Sequence, residues 1–476
     1  MEKNLLELKK HILPNQASRR SANETVYIPV TFHLVANNNG TGRISEKLVL
    51  EQLCSMNTDF AEIGFQFYLK DSEFNYVNNS AVYSDPRSAS NGIMNLLRDN
   101  SSLNIWIVDN PDNGTNSAGV TLAYMDYPRD WIVANKDFVN GSDMIMSHEL
   151  GHFFGLLHTF NGWDSDPYDP SIHGTPAPVN SPRGTQTEKM DGSNGNSAGD
   201  FLSDTKPDYN FGLGDNDCDY NGGALDPDGT LVDPDELLYM GYFLTCDREN
   251  YKFSPEQNDI MLASYNSSNR RYLRNQIAPT TQIINTLPQL TFPANGSTVS
   301  NDAPINLQWT APPGATHYML EVSLLPTFSV QNQRFFVTGN SFQLDGNLVE
   351  DGRRYFWRVK PYNAYSTCQT FTTTQNFTIG NTTAIPTIES FESFSILSNP
   401  TQSGEDIDLL IKATENSQVN FSIYNLNGQL LYQKANQRIL NGINSVSIPT
   451  SSLSAGIYLM RARNEEGQVV KKVVIY

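Results

Sequence analysis

The 476-residue chain predicts a multidomain architecture: an α+β domain, built on a twisted mixed sheet and one ligand-bearing helix, followed by two all-β sandwich domains. Three observations carry that prediction. The string HELGHFFGLLH at 148–158 has helical spacing and follows several alternating, β-branched runs. After about residue 285 only short alternating segments between turn residues recur. Two polar stretches, TTQIINTLPQL and GNTTAIPTIES, interrupt the chain where linkers between domains belong.

Residues 1–22 are polar and basic and are assigned no function. From Val26 the run VYIPVTFHLV alternates and is β-branched, as a central strand opening the first domain would be. His33 inside it reads as a core or hydrogen-bonded histidine, not a ligand. Ser45 caps a predicted helix whose Leu48, Leu53, Met56 and Phe60 recur at helical spacing. Residues 63–69 form a second strand, 105–108 a third, and 118–125 a fourth that borders a cleft. A short strand at 131–134 precedes the histidine-bearing helix, whose start is placed near Gly141 or Ser142. Beyond His158 about eighty residues rich in Pro, Gly and Asp show no periodicity, a length that in a compact domain signals function or a bound ion. From Phe253 a last helix closes the domain, with Ser254, Pro255 and Glu256 as its start signal.

Composition narrows the functional classes. A net charge of −19, from 51 acidic and 32 basic residues, argues against binding nucleic acid or anionic membrane through bulk charge. It also suggests an acidic cleft that would favour basic substrate residues. No run of 18 apolar residues exists, so no transmembrane helix is expected. The first twenty residues lack the apolar stretch of a signal peptide, and an exported chain is expected to carry a leader ahead of them. Four cysteines allow one or two bridges but no disulfide scaffold.

The chemistry concentrates in HELGHFFGLLH. A helix brings His148 and His152 onto one face about 6 Å apart along the axis, within reach of one ion. Glu149 stands beside the first histidine, where it can hold and deprotonate a metal-bound water without being a ligand. Gly155 tolerates positive φ, so the helix can stop and the chain can bend to bring in His158. Three histidines and one open position describe a catalytic Zn2+ site. A single histidine on an apolar helix is usually a packed core residue, and a bare HExxH string arises by chance. Three histidines, a glutamate and a glycine at fixed offsets, out of seven histidines in all, are far rarer.

This extended string resembles the metzincin metallopeptidases. With HTF at the third histidine, EKMDGSNGNSAGDFLSDTKPD from Glu188 and YMGYFLTCDRENYKFSPEQNDIM from Tyr239, the chain resembles the pappalysin family of metzincins over roughly residues 24–275. The resemblance implies a secreted zinc endopeptidase that binds its substrate as an added strand along the sheet edge. It makes Met240 the Met-turn methionine beneath the histidines and Tyr242 a hydrogen-bond donor to the tetrahedral intermediate. It also implies structural Ca2+. Candidate clusters are Asp164, Asp166 and Asp169; Asp215, Asp217 and Asp219; and Asp226, Asp228, Asp233 and Asp235. Asp200, Asp204, Thr205, Asp215 and Asp217 are taken as candidate ligands, with the coordinating set left open. Where family members carry a cysteine pair this chain has Gly195 and Ser203, which leaves the loop before Asp204 without that brace. Cys218 and Cys246 flank the Met-turn, and a bridge between them would close a loop of about 28 residues and contribute roughly 3–4 kcal/mol. Cys368 is expected to be free.

Downstream, INLQW, HYMLEVSL and RYFWRVKPYN resemble a fibronectin type III sandwich, a spacer or adhesive module. SNP at 398–400, VNFSIYNLNGQLLY from Val419 and LSAGIYLMRARNEEGQVVKKVVIY resemble the C-terminal sorting domain of the Gram-negative type IX secretion system, with Asn427 and Gly428 as a hairpin turn. The expected division is a leader or pro-segment remnant at 1–22, a catalytic domain at 23–278, a sandwich at 285–380 and the sorting domain at 390–476. The expected protein is a secreted or surface-attached monomer that hydrolyses peptide bonds with a zinc-bound water activated by Glu149. Its partners are a protein or peptide substrate and the secretion machinery. The alternative is a surface adhesin on an inactive peptidase scaffold, against which the intact Glu149 argues.

Overall fold

The computed structural model describes residues 1–12, 25–89, 91–112, 121–213, 218–277, 282–301, 303–329, 332–380, 388–426 and 428–476. Its first sheet comprises Val26–Ala36 (β1), Phe65–Leu69 (β2), Asn75–Asn78 (β3), Leu103–Val108 (β4), Ala123–Asp126 (β5) and Trp131–Asn135 (β6). β1 pairs in parallel with β2, β3 and β4, and β4 with β6; β5 joins β6 antiparallel and forms the edge. The sheet is therefore mixed, with one reversed strand at the border of the cleft.

Helices cover both faces: Glu2–His11 (α1), Glu46–Asp59 (α2), Ser80–Ser84 (α3), Asn91–Leu97 (α4), Ile145–Phe153 (α5), Pro170–His173 (α6), Pro255–Asn266 (α7) and Arg271–Arg274 (α8). Leu53 and Met56 of α2 and Leu150 and Phe153 of α5 share a core with Ile105 and Ile132. Val82 of α3 and Met94 of α4 pack with Trp106, Trp131 and Val133 on the opposite face. Burial on both faces makes β4 a wholly buried strand and β1 a nearly continuous buried one, where alternation was expected for β1. His33 lies wholly inside. It bonds Asn104 Oδ1 at 2.9 Å and Asn75 Nδ2 at 2.8 Å, stacks on Trp106 at 3.8 Å, and burial lowers its pKa to about 4. It is a neutral core histidine.

Three boundaries differ from the sequence expectation for local reasons. β2 begins at Phe65 because Gly64, at φ 77°, ends a turn there. α5 begins at Ile145 because Asn140 Oδ1 accepts from Ser142 N at 2.8 Å and holds that segment in a side-chain turn. β5 begins at Ala123, and residues 113–120 lie outside the described residues.

α1, like β3, α3, α4 and α6, is absent from the sequence expectation. Leu5 and Leu8 are buried in the core beside the first sheet, and Lys9 donates to Asn196 Oδ1 at 2.9 Å and to Phe201 O. Its spacing of Leu5, Leu8 and Ile12 was the available signal.

The second region holds a five-stranded and a three-stranded sheet from Leu290–Phe292 (β7), Ser297–Val299 (β8), Ile305–Trp309 (β9), His317–Ser323 (β10), Gln333–Thr338 (β11), Ser341–Leu344 (β12), Arg354–Tyr362 (β13) and Gln375–Ile379 (β14). A common core joins the two sheets through Trp309, Tyr318, Leu344 and Trp357. The third region repeats the plan with Phe391–Ile396 (β15), Ile407–Ala413 (β16), Ser417–Asn425 (β17), Leu430–Ile439 (β18), Gly442–Ile448 (β19), Gly456–Arg463 (β20) and Gln468–Ile475 (β21), in sheets of three and four strands. Gly428 takes φ 80° in the turn between β17 and β18, while Asn427 lies outside the described residues.

Cys368 is not free. It is bonded to Cys54 of α2, with Cα atoms 5.0 Å apart. The expectation failed because 314 residues separate the partners and only the docking of the second region on the first brings them together. That docking includes Leu69 N to Ala364 O at 2.9 Å, Arg334 Nη1 to Ser45 Oγ at 2.5 Å, and the ring of Tyr365 against Tyr27 and Tyr68.

Candidate metal centre and cleft

α5 presents His148 and His152 one turn apart. The chain then leaves the helix at Gly155, φ 98°, and returns His158 to the same point. One donor nitrogen from each histidine lies within 4.8 Å of the other two. His148 Nδ1 donates to Tyr239 O at 2.6 Å, His152 Nδ1 to Leu156 O at 2.9 Å and His158 Nδ1 to Asp164 Oδ1 at 2.7 Å. With every Nδ1 proton committed, all three Nε2 lone pairs are left for an ion. Burial lowers the His148 pKa to about 3, helped by His158 nearby, and burial likewise holds His152 well below its ordinary value. Both rings are neutral, as metal ligands must be.

Glu149 is buried next to this triad. Burial pushes its pKa up to about 8 against the opposing hydrogen bond from the Met125 backbone on β5, and its Oε2 has no partner. Met240 is fully buried below the helix, and a Cβ on Gly151 would lie 2.3 Å from its Sδ. Its carbonyl accepts from Thr159 N at 3.2 Å, so the turn at Tyr239–Met240 grips both His148 and the chain just past His158. Tyr242 stands with its ring 5.6 Å from His148, 5.0 Å from His158 and 4.6 Å from Phe160. Burial raises its pKa above the ordinary tyrosine value, with the charges of Glu149 and Asp164 adding to it, so the hydroxyl keeps its proton. Cys218 and Cys246 are bonded across this turn, Cα atoms 5.0 Å apart.

The three histidines, Glu149 and Tyr242 line a cleft of about 740 Å3 together with the edge strand β5, the first turn of α1, Arg87 and Arg183. The cleft is not acidic, contrary to the expectation from bulk charge: Asp164 lies 3.5 Å from Arg183, and Arg87 stands over the Tyr124 ring. Net charge is a sum over the whole surface and does not report which side chains converge on one concavity.

The calcium candidates disperse. Asp200 Oδ1 accepts from Leu202 N at 2.9 Å and Thr205 Oγ1 at 3.0 Å, whereas Oδ2 is buried without a partner. Beside it stands Glu188, which was not singled out for this role; its Oε2 is also buried and unpartnered. Burial pushes both carboxyls well above the usual range. Asp204 points elsewhere, accepting from Ser254 Oγ and Glu256 N at the start of α7. Asp215 and Asp217 lie outside the described residues. Of the other clusters, Asp164 bonds His158, Asp169 caps α6 through Ser171 N at 2.7 Å, and Asp226 accepts from Asp228 N, Thr230 N and Met190 N. Asp228, Asp233 and Asp235 pair with Lys189, Lys206 and Lys252. Gly195 packs against Ser203, where a Cβ would lie 3.2 Å from the Ser203 Cα, and Ser203 N donates to Glu256 Oε2 at 3.0 Å. Glu256 thus braces the loop that carries no disulfide.

Residues 78–210 match the family described as pregnancy-associated plasma protein-A, and residues 396–476 the secretion system C-terminal sorting domain. An extracellular metalloprotease of Colletotrichum graminicola is 25% identical over 197 residues, 36% of this chain and 67% of that protein. One of Sordaria macrospora is 26% identical over 163 residues, 30% of this chain and 54% of that protein. The chain therefore spans between about half and two thirds of the length of these relatives. Among solved structures, a promirolysin mutant of Tannerella forsythia is 16% identical with a TM-score of 0.37, covering 57% of this chain and 91% of that one. Fibronectin(III)-like modules of Clostridium thermocellum CbhA are 9% identical with a TM-score of 0.20, covering 40% and 93%. Residues 78–210 are thus similar to a pappalysin-type family and residues 396–476 to a type IX sorting domain, a kind of domain that addresses a chain to the cell surface or the medium. Among the described residues no helix is long and apolar enough to cross a membrane.

Proposed function

We propose that this protein is a zinc-dependent endopeptidase acting outside the cell, with His148, His152 and His158 as zinc ligands and Glu149 as the general base. One observation carries the reading: three imidazoles converge on one point with their Nδ1 atoms each bonded to a separate acceptor, beside a buried carboxylate with an oxygen free of partners. The donor set fits zinc, which when bound supplies Lewis acidity toward the scissile carbonyl and the attacking water. The match to the pregnancy-associated plasma protein-A family and the extracellular metalloprotease relatives support the same reading.

The chain's own residues do the rest. Among the described residues β5 is the edge strand of the sheet along the cleft, so a peptide in extended form can add as a further strand. Glu149, fixed by the Met125 backbone of that strand, takes the proton of the attacking water and delivers it to the leaving amine. Tyr242 keeps its proton and can donate a hydrogen bond to the developing oxyanion. Met240 supports the helix from below and takes no part in bonding. Glu188, Asp200 and Thr205 form the proposed calcium site, because two buried carboxylate oxygens without donors suit a hard cation. A protein or peptide is the proposed substrate, the monomer the proposed state, and the adhesin alternative is disfavoured by the intact Glu149.

Glu149→Gln is expected to bind zinc with unchanged affinity and to lose at least 100-fold in kcat on a casein or quenched-peptide substrate. Equal activity of the variant and the wild type, or wild-type activity that survives a zinc chelator, would overturn the mechanism.

A further inference from the structure

We propose that Asp164 is a positioning residue for the third metal ligand, His158. The inference rests on the zinc reading above and adds a residue that reading does not need.

His158 differs from the other two histidines in how it is held. His148 and His152 stand on α5, while His158 lies past its end, on chain with no helical hydrogen bonds to orient it. His148 and His152 donate to main-chain carbonyls, Tyr239 O and Leu156 O. His158 alone donates to a carboxylate, at 2.7 Å. Asp164 is in turn fixed: its second oxygen accepts from Gly162 N at 3.0 Å and lies 3.5 Å from Arg183 Nη1. Both oxygens are committed, so the carboxylate does not rotate away. Phe160 stacks on the imidazole at 4.4 Å with an interplanar angle of 13°. An in-plane hydrogen bond and a stacked face together fix the ring's orientation and place its proton on Nδ1. That leaves the Nε2 lone pair directed at the other two donors, 3.0 Å from His152 Nε2. A charged acceptor also increases electron donation from the ring to a bound cation, which a neutral carbonyl does less well. Asp164 acts through His158 and lies behind it, on the side away from the other two histidines' donors.

The test uses the full chain and the variants Asp164→Ala, Asp164→Asn and, as a control, Asp166→Asn. Asp166 lies two residues on and faces His173 at the surface. Three readouts are taken: zinc affinity by competition with a chromophoric chelator, the visible spectrum of the cobalt-substituted protein, and kcat with KM on one quenched peptide. Asp164→Ala is expected to weaken zinc 10- to 100-fold and to shift the cobalt bands. Asp164→Asn, which keeps an acceptor oxygen without the charge, falls between that variant and the wild type. Asp166→Asn is unchanged. The kcat is expected to fall in step with the loss of zinc affinity, because the residue acts through His158. If Asp164→Ala does not fold, Asp164→Asn carries the test through its affinity and cobalt spectrum.

Zinc affinity and cobalt spectra within twofold of wild type in both Asp164 variants would overturn the proposal, even if thermal stability fell. His152→Ala separates this outcome from failure of the zinc site itself. A wild type that binds zinc no better than His152→Ala refutes the site, whereas a wild type that binds tightly alongside unaffected Asp164 variants refutes only the role of Asp164.

Discussion

Asp200 satisfies one oxygen with Leu202 N and Thr205 Oγ1 and leaves the other buried without a donor, and Glu188 beside it has the same defect. In the ion-free protein both carboxyls are held above their ordinary range, with burial as the first cause. Folding without the ion therefore binds protons. The contribution of these two groups to the ion-free fold is most favourable below the ordinary carboxylate pKa, about 4, and is lost as the pH rises through the raised values. At the proposed site calcium would replace those protons, so its stabilisation is expected to grow with pH. Thermal melts with 5 mM calcium against chelator, a choice of about millimolar excess for an extracellular site, should differ little at pH 5 and clearly at pH 8. Asp200→Asn should abolish the difference; a gap of equal size at both pH values would remove these two carboxylates from the calcium site. Glu188 was hard to see in the sequence because a lone glutamate among Gly, Asn and Ser has no periodicity or spacing to mark it. Only the close approach of the Gly199 backbone to its carboxylate, where a Cβ would lie 2.4 Å from Oε2, brings it to Asp200.

α5 shows which parts of an element are legible in advance. Its ligand spacing was, because a helix maps offsets of four onto one face. Its start was not, because a turn three residues upstream competed for the same backbone. Nor was the use of Gly151, since the partner it accommodates arrives about ninety residues later. A methyl at Gly151 would stand 2.3 Å from the Met240 Sδ and 3.3 Å from the Phe253 ring. Ala in place of Gly favours a helix by about 1 kcal/mol, whereas overpacking a closed core costs about 1–3 kcal/mol. With Met240 fully buried the second effect is expected to win, and Gly151→Ala should lower the thermal midpoint of the catalytic region. Displacing the Met240 turn also moves Tyr239 O, the acceptor for His148, so zinc affinity should fall with it. In a Met240→Ala background the same substitution should be neutral or stabilising, because the clash is gone. An equal penalty in both backgrounds would show that the methyl and the sulfur do not meet. The sheet was legible down to its central strands for the same reason as the helix spacing. α1 was missed since ten residues separated from the rest by a polar stretch do not announce where their apolar stripe will pack.

At the scale of the whole molecule, the pairing of Cys54 with Cys368 makes the catalytic region and the first β-sandwich one mechanical unit. Covalent linkage is not the whole of it. Met319 and Tyr362 of the sandwich belong to the same buried cluster as the catalytic core, and Phe336 meets Phe74 across the boundary with ring centroids 6.1 Å apart. The second sandwich has a core of its own, with no residue shared with the catalytic cluster among the described residues. A multidomain chain of this kind does not unfold in two states, so the informative measurement is how many calorimetric transitions occur and which regions unfold together. In the oxidised wild type the catalytic region and first sandwich are expected to melt as one transition, with the sorting domain separate. Cys54→Ser with Cys368→Ser should lower that joint transition, by an amount corresponding to at most about 5–6 kcal/mol for a loop this long, because the cross-link no longer restricts the unfolded ensemble. The shared apolar core and the Leu69 to Ala364 hydrogen bond should keep the two regions docked below the transition, so kcat on a short peptide should be unchanged. Three well-separated transitions in the oxidised wild type would contradict the unit, and a large loss of kcat in the double serine variant would mean that the bridge, not the packed interface, holds the sandwich against α2.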